Sequence, residues 1–291
     1  MKIGIIGDTH INSKREKAIK LALSSVLREL KTHGKLDVII LLGDIFDKYP
    51  NMLERVVFAK FLKVIRKHCK KVIMIKGTDL HEYQNSIYNL EDICNLLDIE
   101  AYDIYEAAGY TFGHFELAGS VYSNGFKSES KIKPEKGKKY CLGHIHCPQE
   151  NYLGSVYKTS FAEKDEKKRI ALITDGEIEY FPIAMRPMYT VHLEGKEGKV
   201  KCKELQLLKD LLKDAEIDLK IFATTDSATL PSIHSNIAKI KAKFNIEYFK
   251  EDIEINRVKI DMPDSLDEQE LLKIYCKKNK YDFELVNKEI K

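Results

Sequence analysis

Short apolar runs alternate with longer amphipathic stretches over the first quarter of the chain. Ile3-Gly4-Ile5-Ile6, Val38-Ile39-Ile40-Leu41-Leu42 and Val72-Ile73-Met74-Ile75 have the length and continuity of buried strands. Between the first two, Ile19, Leu23, Val26, Leu27 and Leu30 recur every three or four positions, which predicts a helix over 17–33. Val56, Val57, Phe61, Leu62 and Ile65 predict a second helix over 51–68. Strand, helix, strand, helix, strand is the rhythm of a sheet with parallel strands, so the fold class is α/β.

The pattern then changes. A short helix is expected near 89–97, followed by short strands over 110–115 and 139–143 with a polar, lysine-rich loop at 127–138 between them. Asp175-Gly176 separates two more strands, 169–174 and 178–181, as a hairpin turn. Met185-Arg186-Pro187-Met188 marks a junction that divides the chain into residues 1–186 and 187–291. Beyond it the spacing predicts a strand (189–193), a helix (203–214), a strand (217–223), a helix (231–244) and strands near 245–260. A last helix opens on Ser265-Leu266-Asp267-Glu268, a capping-box pattern, and runs to about 279.

The chain has 291 residues, 44% hydrophobic and 32% charged, ordinary values for a water-soluble globular protein of one large or two smaller domains. A net charge of +3 is compatible with a nucleic-acid partner without arguing for one. No apolar stretch approaches the roughly 20 residues that span a bilayer, and the N-terminus does not read as a signal peptide. The six cysteines form no CxxC pair, and the spacing of Cys141 and Cys147 around a histidine-rich segment fits no zinc module. A cytoplasmic protein with free thiols, away from membranes, is expected.

Candidate chemistry sits where apolar runs end. Asp8 and His10 follow the first run, Asp44 the second and Asp79 and His81 the third; His114, His144 and His146 follow the later strands. Chemistry in open α/β sheets gathers at such carboxyl ends. If the ends converge, Asp8, His10 and His146 could hold one metal, His114, His144 and a residue from 78–79 a second, and Asp44 could bridge them. Carboxylate and imidazole donors suit manganese, iron or zinc. Two such ions about 3.5–4 Å apart clamp a phosphate and activate a water, which favours phosphoester hydrolysis over acyl transfer. Neither a GxSxG elbow nor a GxxxxGK[ST] loop is present. His33, His68, His192 and His234 lack such a setting and read as surface or core histidines, and Asp47 reads as a loop cap.

GDTH, GDIFD, GHFE and GHIH resemble, in order and spacing, the motifs of the calcineurin-like metallophosphoesterases. The resemblance is closer to the SbcD-type nucleases of DNA double-strand-break repair and their T-even phage counterparts. GDIFD, then Leu153-Gly154-Ser155 with Thr159-Ser160-Phe161-Ala162-Glu163 and Lys167, and Arg186-Pro187, look like segments of that branch. The resemblance implies a four-layer αββα sandwich with a smaller C-terminal α/β capping domain, two manganese ions, and exonuclease and endonuclease action on DNA. It also implies a coiled-coil ATPase partner of the SbcC type, a homodimer, and a place in a bacterial cytoplasm or in that of a phage's host.

One block departs. Where the family writes GNHD, with Asn a metal ligand and His assisting the leaving oxygen, this chain writes Gly77-Thr78-Asp79-Leu80-His81. Either the block is the longer phage form GNHDLH with one residue lost, or Asp79 supplies the missing oxygen ligand and His81 acts as the acid. Loss of general-acid help costs ~10²–10⁴ in rate, so an impaired nuclease serving as a DNA-binding or scaffolding subunit is an alternative, as is a phosphodiesterase with a non-DNA substrate. Lys127, Lys131 and Lys133 are candidate contacts to DNA phosphates, against the plain reading of a solvated loop.

Overall fold

Side-chain alternation in β1 (Lys2–Ile6) sorts that strand between two cores. The computed structural model describes residues 1–78, 81, 99–211, 215–256, 268–279 and 281–284. Ile3 and Ile5 join Val38, Ile40 and Leu42, along and just past β2 (Leu36–Leu41), and Ile73 and Ile75 of β3 (Cys69–Ile75) in one core. Ile6, Ile39, Leu41, Val72 and Met74 point the other way, onto α1 (Glu16–Thr32) and α2 (Met52–Ile65). Both faces are buried, which is why the runs show no polar alternation.

The main sheet has six strands in the order β4-β3-β2-β1-β8-β9. β1 to β4 (Ile99–Tyr102) are parallel; β8 (Arg169–Thr174) and β9 (Glu177–Pro182) are an antiparallel hairpin joined through β1. A three-stranded sheet, β5 (Ile104–Ala107), β6 (Tyr110–Gly113) and β7 (Lys139–Leu142), packs on its far face through Tyr110, Phe112 and Cys141. The other side of that small sheet meets Leu117, Ile145 and Tyr152. The chain is thus mixed α/β as its pattern predicts, with the stacked sheets of the sandwich that the resemblance implies, and β1, β2, β3, β6 and β7 all deliver their carboxyl ends to one edge.

Several details differ from the expectation. The helix over 51–68 ends at Ile65 and closes with a 3-10 turn, Arg66–His68. Its start is a capping box: Asn51 accepts from the Glu54 amide (3.0 Å) and Glu54 accepts from the Asn51 amide (2.8 Å). The short helix at 89–97 and the cap at 265–267 lie outside the described residues. The helix over 203–214 is α3 (Leu205–Asp210), preceded by the edge strand β11 (Lys199–Cys202), and the strands near 245–260 are a single β13 (Asn245–Ile255). No described helix is long and apolar enough to cross a membrane.

β11, β10 (Met188–Lys196), β12 (Glu216–Thr225) and β13 form a separate four-stranded sheet in that order. With α4 (Leu230–Lys243) it encloses its own core around Val191, Leu219, Ile221 and Ile233. A last helix, α5 (Glu268–Asn279), follows. Arg15 is fastened to this sheet by a buried ion pair with Asp218 (2.7 Å), and its guanidinium sits 4.2 Å from the Tyr248 ring centre. The first turn of α1, whose N-cap Arg15 offers no side-chain acceptor, is capped from β13: Glu247 accepts from the amides of Lys17 (2.6 Å) and Ala18 (3.0 Å). Phe161 stacks on Tyr248 with centroids 5.2 Å apart.

Candidate metal centre

The two sheets meet at a knot of backbone bonds that places the acidic and histidine side chains. The His10 amide donates to the Asp44 carbonyl (2.9 Å), joining the ends of β1 and β2, and the Gly143 amide donates to the Gly113 carbonyl (3.0 Å), joining β7 and β6. Asp8 ties one sheet to the other, its Oδ2 accepting from the His144 amide (3.0 Å). His10, Asp44 and His144 have φ of 38°, 42° and 80°, left-handed values that only surrounding constraint sustains in non-glycine residues. Gly143 is where the sheets come closest: a Cβ there would lie 2.3 Å from the Leu42 carbonyl oxygen and 2.5 Å from Asp8 Oδ1. Glycine therefore precedes His144 because nothing larger fits.

Among the described residues three groups of donor atoms result, the atoms of each group within 4.8 Å of one another: Asp8, His10 and His146; His10, Asp44 and His81; and Asp44, His114 and His144. The first holds the residues expected for one metal; the third has His114 and His144 with Asp44 where a residue from 78–79 was expected, and Asp44 Oδ2 also faces His10 at 3.8 Å. Asp79 lies outside the described residues. Lys127, Lys131 and Lys133 are exposed on their loop, apart from the donor groups.

Hydrogen bonds fix which nitrogen each ring offers. His114 Nδ1 donates to the Leu42 carbonyl (2.6 Å), so Nε2 carries the lone pair, yet Nε2 faces Asp44 Oδ2 at 3.2 Å. His144 Nε2 meets Glu116 Oε1 (3.0 Å), leaving Nδ1 buried without a partner, and His146 Nδ1 meets Thr159 Oγ1 (3.0 Å) and Glu163 Oε1 (3.4 Å). His10 and His146 bring their Nε2 atoms to 2.8 Å. Cis nitrogen ligands at ~2.1 Å from one ion are about 3 Å apart. Among the described residues Asp8 Oδ1, His10 Nδ1 and His144 Nδ1 are buried without hydrogen-bond partners. Asp8 and His144 both belong to the donor groups, and a buried acceptor left without a donor there is what a cation completes.

The local field asks for the same thing. Burial pushes the Asp8 carboxyl above its ordinary range, against the pull of His114 and His146. Burial acts on Asp44 too, but the hydrogen bond and charge of His114 outweigh it and hold the carboxyl well below the usual range. Burial lowers His114, and Asp44 and Asp8 overcome this and push the ring up to about 9. Burial and His146 hold His10 well below its usual value, in the neutral form a ligand needs.

Glu116 was missed in the sequence reading, and Thr78 and Glu163 take roles here that it did not assign. Glu116, the last letter of GHFE, orients His144 and accepts from Tyr122 and Ser128. Thr78 gives both its amide (2.8 Å) and its hydroxyl (3.1 Å) to Asp44 Oδ1. Glu163 braces His146 and pairs with Lys168 (2.6 Å), which is fully buried, whereas Lys167 is exposed. Glu116 and Glu163 are carboxylates two to four residues from a predicted ligand or motif, the available sequence signal for such supporting partners. A cavity of about 270 Å³ opens over the cluster, lined by Asp44, His81, Tyr122, Asn124, His146 and Ser160 among others.

No curated protein matches the chain. The profile of the calcineurin-like phosphoesterases matches residues 1–148, the stretch that carries every donor in the three groups. With half of its length so matched and its donors gathered at one sheet edge, the chain belongs to the calcineurin-like phosphoesterase family.

Proposed function

We propose that this phosphoesterase is a metal-dependent DNA nuclease, the phosphodiester-cutting subunit of a recombination or repair complex. The observation that carries the reading is the position of Thr159–Glu163. In sequence this segment resembles the nuclease branch, and in the fold Thr159, Ser160, Ala162 and Glu163 line the cavity while Thr159 and Glu163 hold His146. The lysine loop adds support. The Ser128 amide donates to the Ser120 carbonyl (2.8 Å) and the Ala118 amide to the Ile132 carbonyl (2.7 Å), which fasten the loop to the segment leading into cavity-lining Tyr122, Ser123 and Asn124. Lys127, Lys131 and Lys133 would bind backbone phosphates there with no preference for sequence.

Asp8, His10 and His146 would hold one divalent ion and Asp44, His114 and His144 the other, with Asp44 Oδ2 shared. Such ions, manganese in this proposal, supply Lewis acidity and water activation. The chain's own residues do the rest: Glu116 and Glu163 keep the rings aimed, Thr78 turns Asp44, and the cavity admits the phosphodiester. Residues 187–291 would cap the site and meet DNA or a coiled-coil ATPase of the SbcC type, and the working form would be a homodimer.

The experiment is manganese-dependent cleavage of end-labelled linear DNA, with bis-p-nitrophenyl phosphate run in parallel. Cleavage of DNA that disappears in Asp44→Ala and His146→Ala is expected. Hydrolysis of the small diester without any cut DNA would replace the nuclease reading with a different phosphodiesterase. A second reading, a nuclease-impaired subunit, draws on Thr78, which occupies the usual Asn position and spends its donors on Asp44; inactivity on both substrates, with or without the ATPase, favours it.

A further inference from the structure

The departure at Gly77–His81 leaves the family's neutral donor unaccounted for, and Thr78 has no side-chain amide oxygen to stand in for it. Its amide and hydroxyl are both committed to Asp44 Oδ1. We infer that His81 is itself a metal ligand, through Nε2, beside His10 and Asp44. This rests on the dinuclear reading above and assigns His81 a role other than leaving-group acid.

The geometry has three parts. A ring nitrogen of His81 lies with donor atoms of His10 and Asp44 in a group whose members are all within 4.8 Å of one another. His81 Nδ1 is 2.8 Å from the backbone carbonyl oxygen of Asp47. A carbonyl only accepts, so Nδ1 carries the hydrogen and Nε2 of the neutral ring offers its lone pair. That is the carbonyl-oriented arrangement of a ligating histidine, and His114 repeats it on the Leu42 carbonyl. The ring also meets His10 edge-on, with centroids 4.9 Å apart at 82°, and it lines the cavity that holds the other donors. Imidazole is a neutral donor, as an amide oxygen is, so the ligand charge of the centre is unchanged by the exchange while its preference moves toward softer first-row ions.

The test reads metal binding directly. The full chain, stripped with a chelator, is titrated with Mn²⁺ by calorimetry, and the loaded protein is examined by electron spin-echo spectroscopy for imidazole nitrogen coupling. His81→Phe keeps a ring beside His10 and has no nitrogen. Affinity at one of the two sites should fall by at least the ~10–100-fold that loss of a ligand's supporting partner costs, with one fewer imidazole coupled. Mn²⁺ binding and nitrogen coupling equal to those of the unaltered chain would overturn the assignment. Should His81→Phe melt below the metal-free parent, His81→Gln carries the same test: one fewer coupled imidazole supports the assignment, and full coupling refutes it. If the unaltered chain binds no Mn²⁺ at all, the dinuclear reading fails before any variant is compared.

Discussion

Arg15→Ala should be among the most damaging changes outside the metal centre. The guanidinium is 7% exposed and its partner carboxylate on Asp218 1%, with Nη2 and Oδ2 2.7 Å apart. Deleting Arg15 leaves the buried Asp218 carboxylate, among the described residues, with the Tyr248 amide at 3.2 Å as its hydrogen-bond donor and with only the weaker pull of Arg186 in place of its contacting counterion. Breaking such a pair from one side costs about 3–5 kcal/mol, and the lost contact with the Tyr248 ring adds ~0.5–2 kcal/mol. Asp218 also sets a pH signature. Burial already raises its carboxyl above the ordinary range, against the pull of Arg15, and removing Arg15 raises it further. A folded pKa above the unfolded one means that the folded state holds the proton more tightly. Stability then falls as pH rises through the folded value and recovers on acidification. Urea unfolding followed by fluorescence should show Arg15→Ala destabilised most at neutral pH and less at pH 5, and Arg15→Ala/Asp218→Ala should be milder than the two single losses summed. A loss below about 1 kcal/mol, or strict additivity in the double variant, would refute the buried-pair argument.

Glu163→Ala should weaken Mn²⁺ binding by ~10–100-fold, because His146 loses its brace, and should lower stability because buried Lys168 keeps only Glu166 as a counter-charge; calorimetric titration and urea melts separate the two effects. Gly143→Ala should destabilise by about 1–3 kcal/mol and disturb metal binding, since its Cβ would press on the Leu42 carbonyl and Asp8. Asn51→Ala removes half of a capping box that belongs to none of the donor groups and should cost ~0.5–2 kcal/mol in thermal unfolding while leaving hydrolysis of the small diester unchanged. Saturating Mn²⁺ should raise the melting temperature of the unaltered chain, by about 2.7 kcal/mol of stabilisation at 100 times Kd, and should shift Asp44→Ala much less; equal shifts in both would place the ion elsewhere.

The central strands were legible because both faces are buried: Ile3, Ile39 and Val72 belong to runs that only a covered sheet permits. The donors were legible because each follows such a run. β4 and β5 were not, since Glu100, Asp103 and Glu106 break the pattern of strands with a solvent-facing side. Glu116 escaped because its partner His144 is 28 residues away and only folding joins them. Nothing in Lys167-Lys168 says which lysine turns inward; that is decided by Glu163 in the fold. Sequence showed that an asparagine was missing at Thr78, and only the structure shows the hydroxyl given to Asp44.

The capping of α1 by Glu247 has a consequence for synthesis. Ala18 and the residue that satisfies its amide are 229 positions apart, about 10–45 s of translation at ~5–20 residues per second. For that interval the nascent first helix has its amphipathic body but no cap, and its opening turn is left to water. The helix that begins first along the chain is therefore completed only after β13 has left the ribosome, and a chain released early would carry the donor residues of the metal centre on a frayed support.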